Sequence, residues 1–487
     1  MKIVKVRGIF MSDDPVGVVR KQVGGADADA EKMRKEILNA KDCLNVVGTT
    51  YYISSKNGDD SADGISPSSP WRTLKKLKEI RDWLKPGDAV LFERGSLFRN
   101  WNKAFESKPG ANNMIWAVSG VTYGAYGEGK KPAFYGSAQN YAEAEWTFCG
   151  KSIWQLSFPL QNAGIVLLDE GEYVGVKKWS LDELEKNDDY FHDEEKGVLY
   201  LYSDVGCPSE IYRSIEIGRN PSLIILSQGT HDVVIDNLCF KYAGAHAICG
   251  AHYVNDIKIT NCEIGWCGGA FFPGNYECGP NGRRTRYGNA IEFGGCSFNI
   301  LLQNNWVYQI YDAGLTFQSA GYNMTFRNIA FKDNLIQYCN YSIEFFMRRS
   351  PEEIAAGISK TKGVLENIEF TGNIMQFAGH GVCEQRPDRS DASHICGWIT
   401  DVGDGFKNVI IKSNIFDLAS HAIVRWKCEA NKEICVRENT FYMKSDFSDV
   451  AMRYGTYGTL NAENQAELEK AVRVFDSSPS KVRWLVN

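Results

Sequence analysis

Residues 333–346 read DNLIQYCNYSIEFF, and this stretch holds both halves of a pattern that recurs through the second half of the chain. Its first five residues, DNLIQ, have relatives that each follow an alternating apolar run and carry asparagine in second place. These relatives are DNLCF at 236–240, TNCEI at 260–264, NNWVY at 304–308, GNIMQ at 372–376, SNIFD at 413–417 and ENTFY at 438–442. Successive asparagines lie 24, 44, 29, 39, 41 and 25 residues apart. The chain therefore repeats a unit of about 24 residues, which loops lengthen in places.

The corners between the short strands of this repeat contain single asparagines or glycines, whereas hairpins need two-residue turns such as Asn-Gly. Asparagine suits such a corner because it tolerates the left-handed region and its amide can bond a neighbouring backbone group. Identical amides can also bond each other along a stack. The pattern predicts an all-β fold, a parallel β-helix whose coils stack about 4.8 Å apart around an apolar interior.

The second half of the opening stretch, YSIEF at 341–345, also recurs. Its relatives are HAICG at 246–250, NAIEF at 289–293, AGLTF at 313–317, HGVCE at 380–384 and HAIVR at 421–425. The third residue is always Ile, Leu or Val and is predicted to point inward, so the fourth points outward. The predicted outward row is Cys249, Glu292, Thr316, Glu344, Cys383 and Val424. Small residues two places earlier predict an open floor for a ligand.

Two segments nearer the N-terminus extend this interpretation. YYISSKNGDDSADGISPSSPWRTL at 51–74 and LKPGDAVLFERG at 84–95 resemble the opening of right-handed parallel β-helix proteins of the pectate-lyase-like superfamily. The resemblance covers most of residues 49–445 and implies a right-handed solenoid. The superfamily contains lyases, hydrolases, epimerases and phage adhesins, so the resemblance leaves the activity open.

The rest of the chain divides around this solenoid. Residues 130–215 interrupt the repeat with hairpin-like pieces and resemble the small β-modules inserted in some β-helical glycoside hydrolases. The predicted organisation is an N-terminal helical cap segment (1–48), first β-helix coils (49–129), the inserted small β-module (130–215), the main β-helix with a catalytic groove (216–450), and a C-terminal cap helix and strand (451–487).

Bulk composition excludes several classes of function. The chain has 487 residues with a net charge of −6, which argues against a nucleic-acid partner. No apolar run is long enough for a membrane span, and the first residues do not read as a signal peptide, so a cytoplasmic location is expected. The 14 cysteines lie mostly in strand-like runs and form no paired CxxC motifs, so buried thiols and no metal site are expected.

Two glutamates of this row occupy the same position in the recurring segment. Glu292 in NAIEF and Glu344 in YSIEF are two coils apart, with Thr316 between them. Two coil steps predict about 9.6 Å between their backbones, near the separation of a carboxylate pair that cleaves a glycosidic bond with inversion. Asp312, at the corner before the middle coil, could form a shorter pair with Glu344. The predicted catalytic set is Glu344 as acid, with Asp312 or Glu292 as base or nucleophile; for each glutamate, the alternative is an ordinary solvated side chain.

Long loops follow the strands that carry this set, at 271–288, 347–363 and 385–405, and they are predicted to wall a groove. Arginine in such loops suits bidentate binding of a carboxylate, so an acidic sugar is one expectation. Glu384 and Arg425 occupy equivalent places and could equally form an ion pair between coils, and the stacked histidines could be structural. The predicted substrate-binding residues are Tyr341, Arg349, His380, Glu384, Arg386, Trp398, His421 and Arg425.

Three functions fit these residues. The first is a glycoside hydrolase acting on an oligosaccharide without a cofactor; a cytoplasmic location favours oligosaccharides over polymers. The second is a polysaccharide lyase acting on uronate, with Arg349 or Arg386 as base and calcium as a possible cofactor. The third is a non-catalytic carbohydrate-binding solenoid. The sequence does not indicate the sugar, the linkage, the stereochemical outcome or the oligomeric state.

Overall fold

The structure is a computed structural model. It describes residues 23–42, 44, 46–99, 114–159, 162–219, 222–272, 284–320, 324–348, 351–358, 363–386, 391–399, 406–428, 433–445, 448, 450–454 and 458–486. Within these ranges the chain is a stack of coils, and each complete coil contributes strands to three faces.

Face 1 is a ten-stranded sheet in which every neighbouring pair is parallel. Its strands are Thr50–Ile53, Ala89–Glu93, Thr122–Tyr126, His231–Asp236, Asn255–Thr260, Phe298–Gln303, Thr325–Lys332, Val364–Thr371, Phe406–Lys412 and Ile434–Arg437. The order in the sheet follows the order along the chain, so each strand lies on the one before it.

Faces 2 and 3 belong to one continuous sheet because two long strands, Trp306–Ala320 and Leu335–Arg348, run through both. The other strands of face 2 are Leu97–Arg99, Ala133–Tyr135, Cys239–Lys241, Glu263–Cys267, Ile374–Ala378, Ile415–Ala419, Thr440–Met443 and Lys481–Trp484. The other strands of face 3 are Ile115–Trp116, Ile224–Leu226, Ile248–Gly250, Ile291–Phe293, Ser393–Ile399, Ala422–Cys428 and Val450–Tyr454, with Gly458–Asn461 added antiparallel at the end.

The parallel stacking of these strands confirms the predicted β-helix. Inward positions of successive strands are in register, as in Ile291↔Leu315 and Leu315↔Ile343. These side chains are fully buried and belong to a hydrophobic core that extends along the solenoid. Burial of this apolar surface, at roughly 25 cal/mol per Å², is the main stabilising contribution.

The asparagine corners differ from the prediction in one respect. Asn237 and Asn261 take left-handed backbone angles, with φ of 59° and 54°. Asn305 and its successors lie one position later, where the side chain is buried, and the residue before each takes the left-handed angle instead, as in Asn304 with φ of 57°. The asparagine motif of the sequence therefore corresponds to two different structural positions. One is a corner with a left-handed backbone, and the other is a buried stack. The stack is Asn305, Asn334, Asn373, Asn414 and Asn439, and it ends on Asp476.

The N-terminal helix, Asp27–Leu38, does not cap the solenoid as predicted. The amides of Gly25 and Ala26, just before the helix, donate to Asp417 on a late coil, and the Arg34 guanidinium lies over the ring of Trp306. Lys41, just after the helix, accepts a hydrogen bond from Asn237 on an early coil. Residues 24–42 therefore form a side strap that runs back along the coils, because the apolar side of the helix matches an aromatic strip on face 2.

The ends of the core are covered by other helices. Helix Leu74–Ile80 covers the N-terminal end, with Leu77 and Ile80 buried in the core. Helix Gln465–Phe475 covers the C-terminal end, where Phe475 contacts the rings of Phe416 and Trp426.

A second, smaller core lies outside the solenoid core, in a unit that the chain forms between strands Ala133–Tyr135 and Ile224–Leu226. Its strands are Thr147–Gly150, Ile153–Ser157, Ala163–Leu168, Tyr173–Val174, Val176–Lys177, Asp189–Asp193, Val198–Tyr202 and Ile215–Arg219, with the short helix Pro208–Ile211. These strands form two small sheets with mostly antiparallel pairs, unlike the solenoid. We call this unit the β-module.

The remaining short elements are helix Pro351–Ala355, the antiparallel pair Ala270–Phe271 and Arg286–Tyr287, and 3₁₀ turns at Arg81–Trp83, Tyr141–Glu143, Asp169–Gly171, Leu181–Glu183 and Val382–Gln385. The described cysteines carry no disulfide. Within the described ranges, every helix is too short or too polar to span a bilayer.

Candidate active site

One outward row of face 3 carries the candidate chemistry. Glu292 pairs with Thr316, and Thr316 pairs with Glu344, in consecutive parallel strands. The two glutamates are therefore two strand steps apart, about 9.6 Å at the usual spacing. The predicted relation between NAIEF and YSIEF is present in the strand register. We call this set the carboxylate row; its members in order are Cys249, Glu292, Thr316, Glu344, Cys396 and Arg425.

The predicted continuation of this row through Cys383 and Val424 is wrong. HGVCE does not form a strand, because Val382–Gln385 is a 3₁₀ turn, and the strand of that coil begins only at Ser393. Val424 points inward and is fully buried, so its neighbour Arg425 takes the outward place. An insertion between residues 381 and 392 explains the error at Cys383, whereas in HAIVR the frame is shifted by one residue, so that Val424 and not Ile423 pairs with Ile395.

The small residues preceding the row do not form the predicted open floor. Ala247 and Ala290 are completely buried members of the main core. A side chain at Gly314 would meet Ile336 at 2.8 Å, which is also an interior contact. The bend between faces 2 and 3 interrupts the two-residue alternation, so these positions face inward.

Glu344 lies at the centre of the row. Burial raises its pKa well above its usual range, and the negative charge of Asp312 adds to the rise, while Arg386 opposes it. Within the described residues its carboxyl group receives no hydrogen bond that would stabilise the charged form. The raised pKa favours the protonated form of Glu344, the form that donates a proton to a bound ligand.

Asp312 has the opposite environment. It lies in the long strand Trp306–Ala320 and forms an ion pair with Arg386. A neighbouring guanidinium favours the ionised form of a carboxylate. Asp312 also precedes Glu292 among the charges that act on Glu344. Burial therefore favours a protonated Glu344, whereas the ion pair with Arg386 favours an ionised Asp312.

Glu292 is engaged by residues of its own coil and the preceding one. The Asn289 amide donates to its Oε2 at 2.6 Å, and His246 Nδ1 lies 3.3 Å from the same oxygen. Thr316 separates it from Glu344, and the buried Thr316 hydroxyl has no hydrogen-bond partner in the part of the chain that the structure describes. Glu292 therefore lies at one end of the site, while Asp312 lies closer in electrostatic terms to Glu344.

Sequence reasoning missed Asp391, which forms the other end of the site. The Tyr341 hydroxyl donates to its Oδ1 at 2.5 Å, and Arg425 forms an ion pair with its other oxygen. Its negative charge also contributes to the raised pKa of Glu344. The predicted Glu384–Arg425 pair is thus replaced by Asp391–Arg425. The available signal was a loop aspartate next to the strand SHICGW, but no repeat frame marked it.

Arg386 is fixed between aromatic rings. Its guanidinium lies 5.7 Å from the ring centre of Tyr311 and 5.8 Å from that of Tyr341. Arg286 lies over the other side of the same region, 4.4 Å from the Tyr311 ring. Because Arg386 is paired with Asp312, it is a poor candidate for the neutral base that a lyase would need.

The β-module reaches this site through Gln385. The Gln385 amide donates to the Gly175 carbonyl at 2.9 Å and accepts from the Lys177 amide at 3.2 Å. Its oxygen also accepts from Arg286 at 3.4 Å. Arg286, Tyr311 and Gln385 line part of a narrow recess here. The module therefore fixes the residue directly before Arg386.

The other predicted binding residues lie away from the carboxylate row or outside the residues that the structure describes. His380 Nδ1 lies 3.2 Å from Glu384 within the turn that leads to Gln385. His421 directly precedes the strand Ala422–Cys428, and its carbonyl accepts from Ser448. Arg349 lies outside the described residues, and for Trp398 only the backbone is described, in register with Phe346. The stacked positions of His380 and His421 follow from the pair Ala378↔Ala419.

Comparisons with known proteins add a partial match. No protein-family model matches the chain. A lacto-N-biosidase of Bifidobacterium longum subsp. longum is 42% identical over 83 residues, which are 17% of this chain and 5% of that protein. A solved glycoside hydrolase covers 90% of this chain and 96% of its own, with 9% identity and a TM-score of 0.43.

A GH136 lacto-N-biosidase from Eubacterium ramulus covers 95% of this chain and 70% of its own, with 14% identity and a TM-score of 0.35. The parallel β-helix itself follows from the strand pairing of this chain. The chain is thus a parallel β-helix protein that is similar, over a short segment, to a lacto-N-biosidase.

Proposed function

We propose that the protein is a glycoside hydrolase that cleaves an oligosaccharide with Glu344 and Asp312. The observation that carries this proposal is that Glu344, whose pKa burial raises, lies near Asp312, which forms an ion pair with Arg386. Glycoside hydrolysis needs both forms together, one to protonate the leaving oxygen and one to act as base or nucleophile. The segment shared with a lacto-N-biosidase supports the same class of substrate.

In this proposal Glu344 donates its proton to the glycosidic oxygen as the bond to the anomeric carbon breaks. Asp312, kept ionised by Arg386, either activates a water molecule or attacks the anomeric carbon directly. Asp391 holds Tyr341 and Arg425 at the edge of the site, where they can contact sugar hydroxyl groups.

The proposal is tested by incubating the full chain with aryl glycosides and with oligosaccharides that lacto-N-biosidases accept. Proton NMR of the first product then gives the anomer and so the stereochemical outcome. Glu344→Gln should reduce kcat by about 10²–10⁴-fold, the usual contribution of a positioned general acid. Glu369→Gln is the matched control, since Glu369 lies on face 1 and pairs with Lys332 at 2.6 Å.

Two results would overturn the proposal. Full activity in Glu344→Gln would exclude Glu344 as the acid. A product with an ultraviolet-absorbing unsaturated uronate would identify a lyase instead.

A further inference from the structure

A second cluster of side chains lies at the start of the carboxylate row. Cys249 and Glu292 are register partners on neighbouring strands of face 3. His246 precedes the strand Ile248–Gly250 and turns toward them. One ligand atom from each of the three lies within 4.8 Å of the others. A thiol, an imidazole and a carboxylate therefore converge on one point.

The spacing within this cluster fits a shared metal ion. His246 Nδ1 and Glu292 Oε2 are 3.3 Å apart. Zinc bonds of about 2.0–2.2 Å at a tetrahedral angle would place such a nitrogen and oxygen roughly 3.4 Å apart. Nitrogen, thiolate and carboxylate are the donors that zinc takes in proteins, and three protein ligands leave one position for water or another ligand.

Residues around the cluster hold its ligands in place. Asn289 Nδ2 donates to Glu292 Oε2 at 2.6 Å, and the Asn289 backbone amide donates to His246 Nδ1 at 3.1 Å. The Asn289 side-chain oxygen is itself fixed by the amide of Ala313 at 2.8 Å. The ring of Tyr287 lies edge-on to His246 at 5.1 Å. Such outer contacts orient metal ligands, although an ion on Nδ1 would replace the contact from the Asn289 amide.

We propose that His246, Cys249 and Glu292 bind one zinc ion. On binding, the Cys249 thiol loses its proton to solvent as the sulfur–zinc bond forms, and His246 and Glu292 each supply a lone pair. No electron is transferred. The ion takes Glu292 as a ligand, which leaves Asp312 as the partner of Glu344. The site lies two strand steps from Glu344, and its existence does not depend on the proposed hydrolase activity.

Cobalt(II) provides a spectroscopic test, because a cobalt–thiolate bond absorbs in the near ultraviolet. The full chain, with the exposed Cys149 and Cys435 replaced by serine and with metal removed, is titrated with cobalt and then with zinc. We expect one equivalent of cobalt to give the thiolate band and one equivalent of zinc to remove it. His246→Gln and Glu292→Gln should each weaken zinc binding by at least about 10-fold.

Cys249→Ser should abolish the band, whereas Cys296→Ser, which alters another half-buried thiol, should keep it. A band that survives Cys249→Ser, or the absence of stoichiometric binding, would overturn the proposal. A readout without variants guards against misfolding: zinc should protect Cys249 of the unaltered protein from alkylation, as measured by mass spectrometry. Equal alkylation with and without zinc would also refute the site.

Discussion

The stacked asparagines and the carboxylate row share one geometry, but the first stabilises the fold whereas the second carries the candidate active site. Along the asparagine stack, Asn334 donates to Asn373 at 2.9 Å and Asn373 donates to Asn414 at 2.9 Å. Along the carboxylate row, Thr316 separates Glu292 from Glu344, and no two neighbours are alike. Both rows have one residue per coil, yet the first is uniform and the second is varied.

The difference follows from the chemistry of the two side chains. An amide is both donor and acceptor, so identical amides satisfy each other when they stack. Ionised carboxylates only accept, and like charges on neighbouring strands repel. The carboxylate row therefore needs a spacer such as Thr316, a nearby cation such as Arg386, or a raised carboxyl pKa such as that of Glu344. A stack of identical residues indicates stabilisation, whereas an interrupted one indicates a site.

The largest effect on the candidate active site is expected from Asp312→Asn, which alters the proposed partner of Glu344 in the carboxylate row. Loss of the base or nucleophile should reduce kcat/KM by about 10²–10⁴-fold, while the protein keeps its fold. Steady-state kinetics on the substrate found in the screen would measure this. Asp333→Asn is the control, because Asp333 sits at a corner with φ of 52° that asparagine tolerates. If Asp312→Asn kept more than half of the activity, the partner of Glu344 would have to be another residue.

The asparagine stack is broken by Asn373→Ala. Asn373 accepts from Asn334 and donates to Asn414 and to the Phe331 carbonyl, all in the buried interior. Groups left without partners there cost about 1–3 kcal/mol each. We expect the free energy of unfolding to fall by roughly 2–5 kcal/mol, measured by urea denaturation.

An exposed asparagine stack provides the matched control for that change. Asn367 donates to Asn328 at 2.8 Å at the protein surface, where water can replace the bond. Glycine tolerates its φ of 53°, so Asn367→Gly should change stability by less than about 1 kcal/mol. Equal losses in Asn373→Ala and Asn367→Gly would show that burial does not distinguish the two stacks.

Glu344→Gln should separate activity from stability. Because the folded protein raises the pKa of Glu344, it binds a proton that the unfolded chain releases at lower pH. Stability from this group is therefore present below the ordinary carboxyl pKa and is lost as pH rises toward the raised value. The Glu344→Gln variant should not show this fall in stability with rising pH. It should be more stable than the unaltered protein at neutral pH, as shown by Tm measured across pH. An unchanged pH dependence would contradict the protonated state of Glu344.

The smallest expected effect concerns the contact from the β-module. Gln385→Ala removes the bonds to Gly175 and Lys177 and loosens the residue before Arg386. We expect a roughly 5-fold fall in kcat/KM, equivalent to one hydrogen bond of about 1 kcal/mol. The acidic limb of the pH profile should also move to higher pH, because Arg386 would hold Asp312 ionised less firmly. A fall in activity with an unmoved limb would limit Gln385 to a structural role.

The sequence predicted the solenoid well because its evidence is local and repeated. Alternating runs such as NILL and NIEF recur with inward Ile, Leu and Phe, and stacking turns that period into a fold. Glu292 and Glu344 were predicted as candidates because they occupy the same position of the repeat, and Asp312 because it lies at the corner before the coil between them; their catalytic roles stay predictions. Asp391 was missed because it reaches the site from a loop, where only the folded path of the chain decides what it contacts. The error at Cys383 has the same origin, since an insertion displaced the strand by about a dozen residues.

The side strap gives the molecule a property that stacked coils alone lack. In a solenoid each coil contacts only its neighbours, so coils can open in succession from an end. The amides of Gly25 and Ala26 bond to Asp417, which lies 392 and 391 residues further along the chain. The side strap therefore docks only after most of the coils that follow it in the chain exist. Such a late, long-range contact joins distant coils into one cooperative unit and makes completion of the late coils a condition for closing the structure.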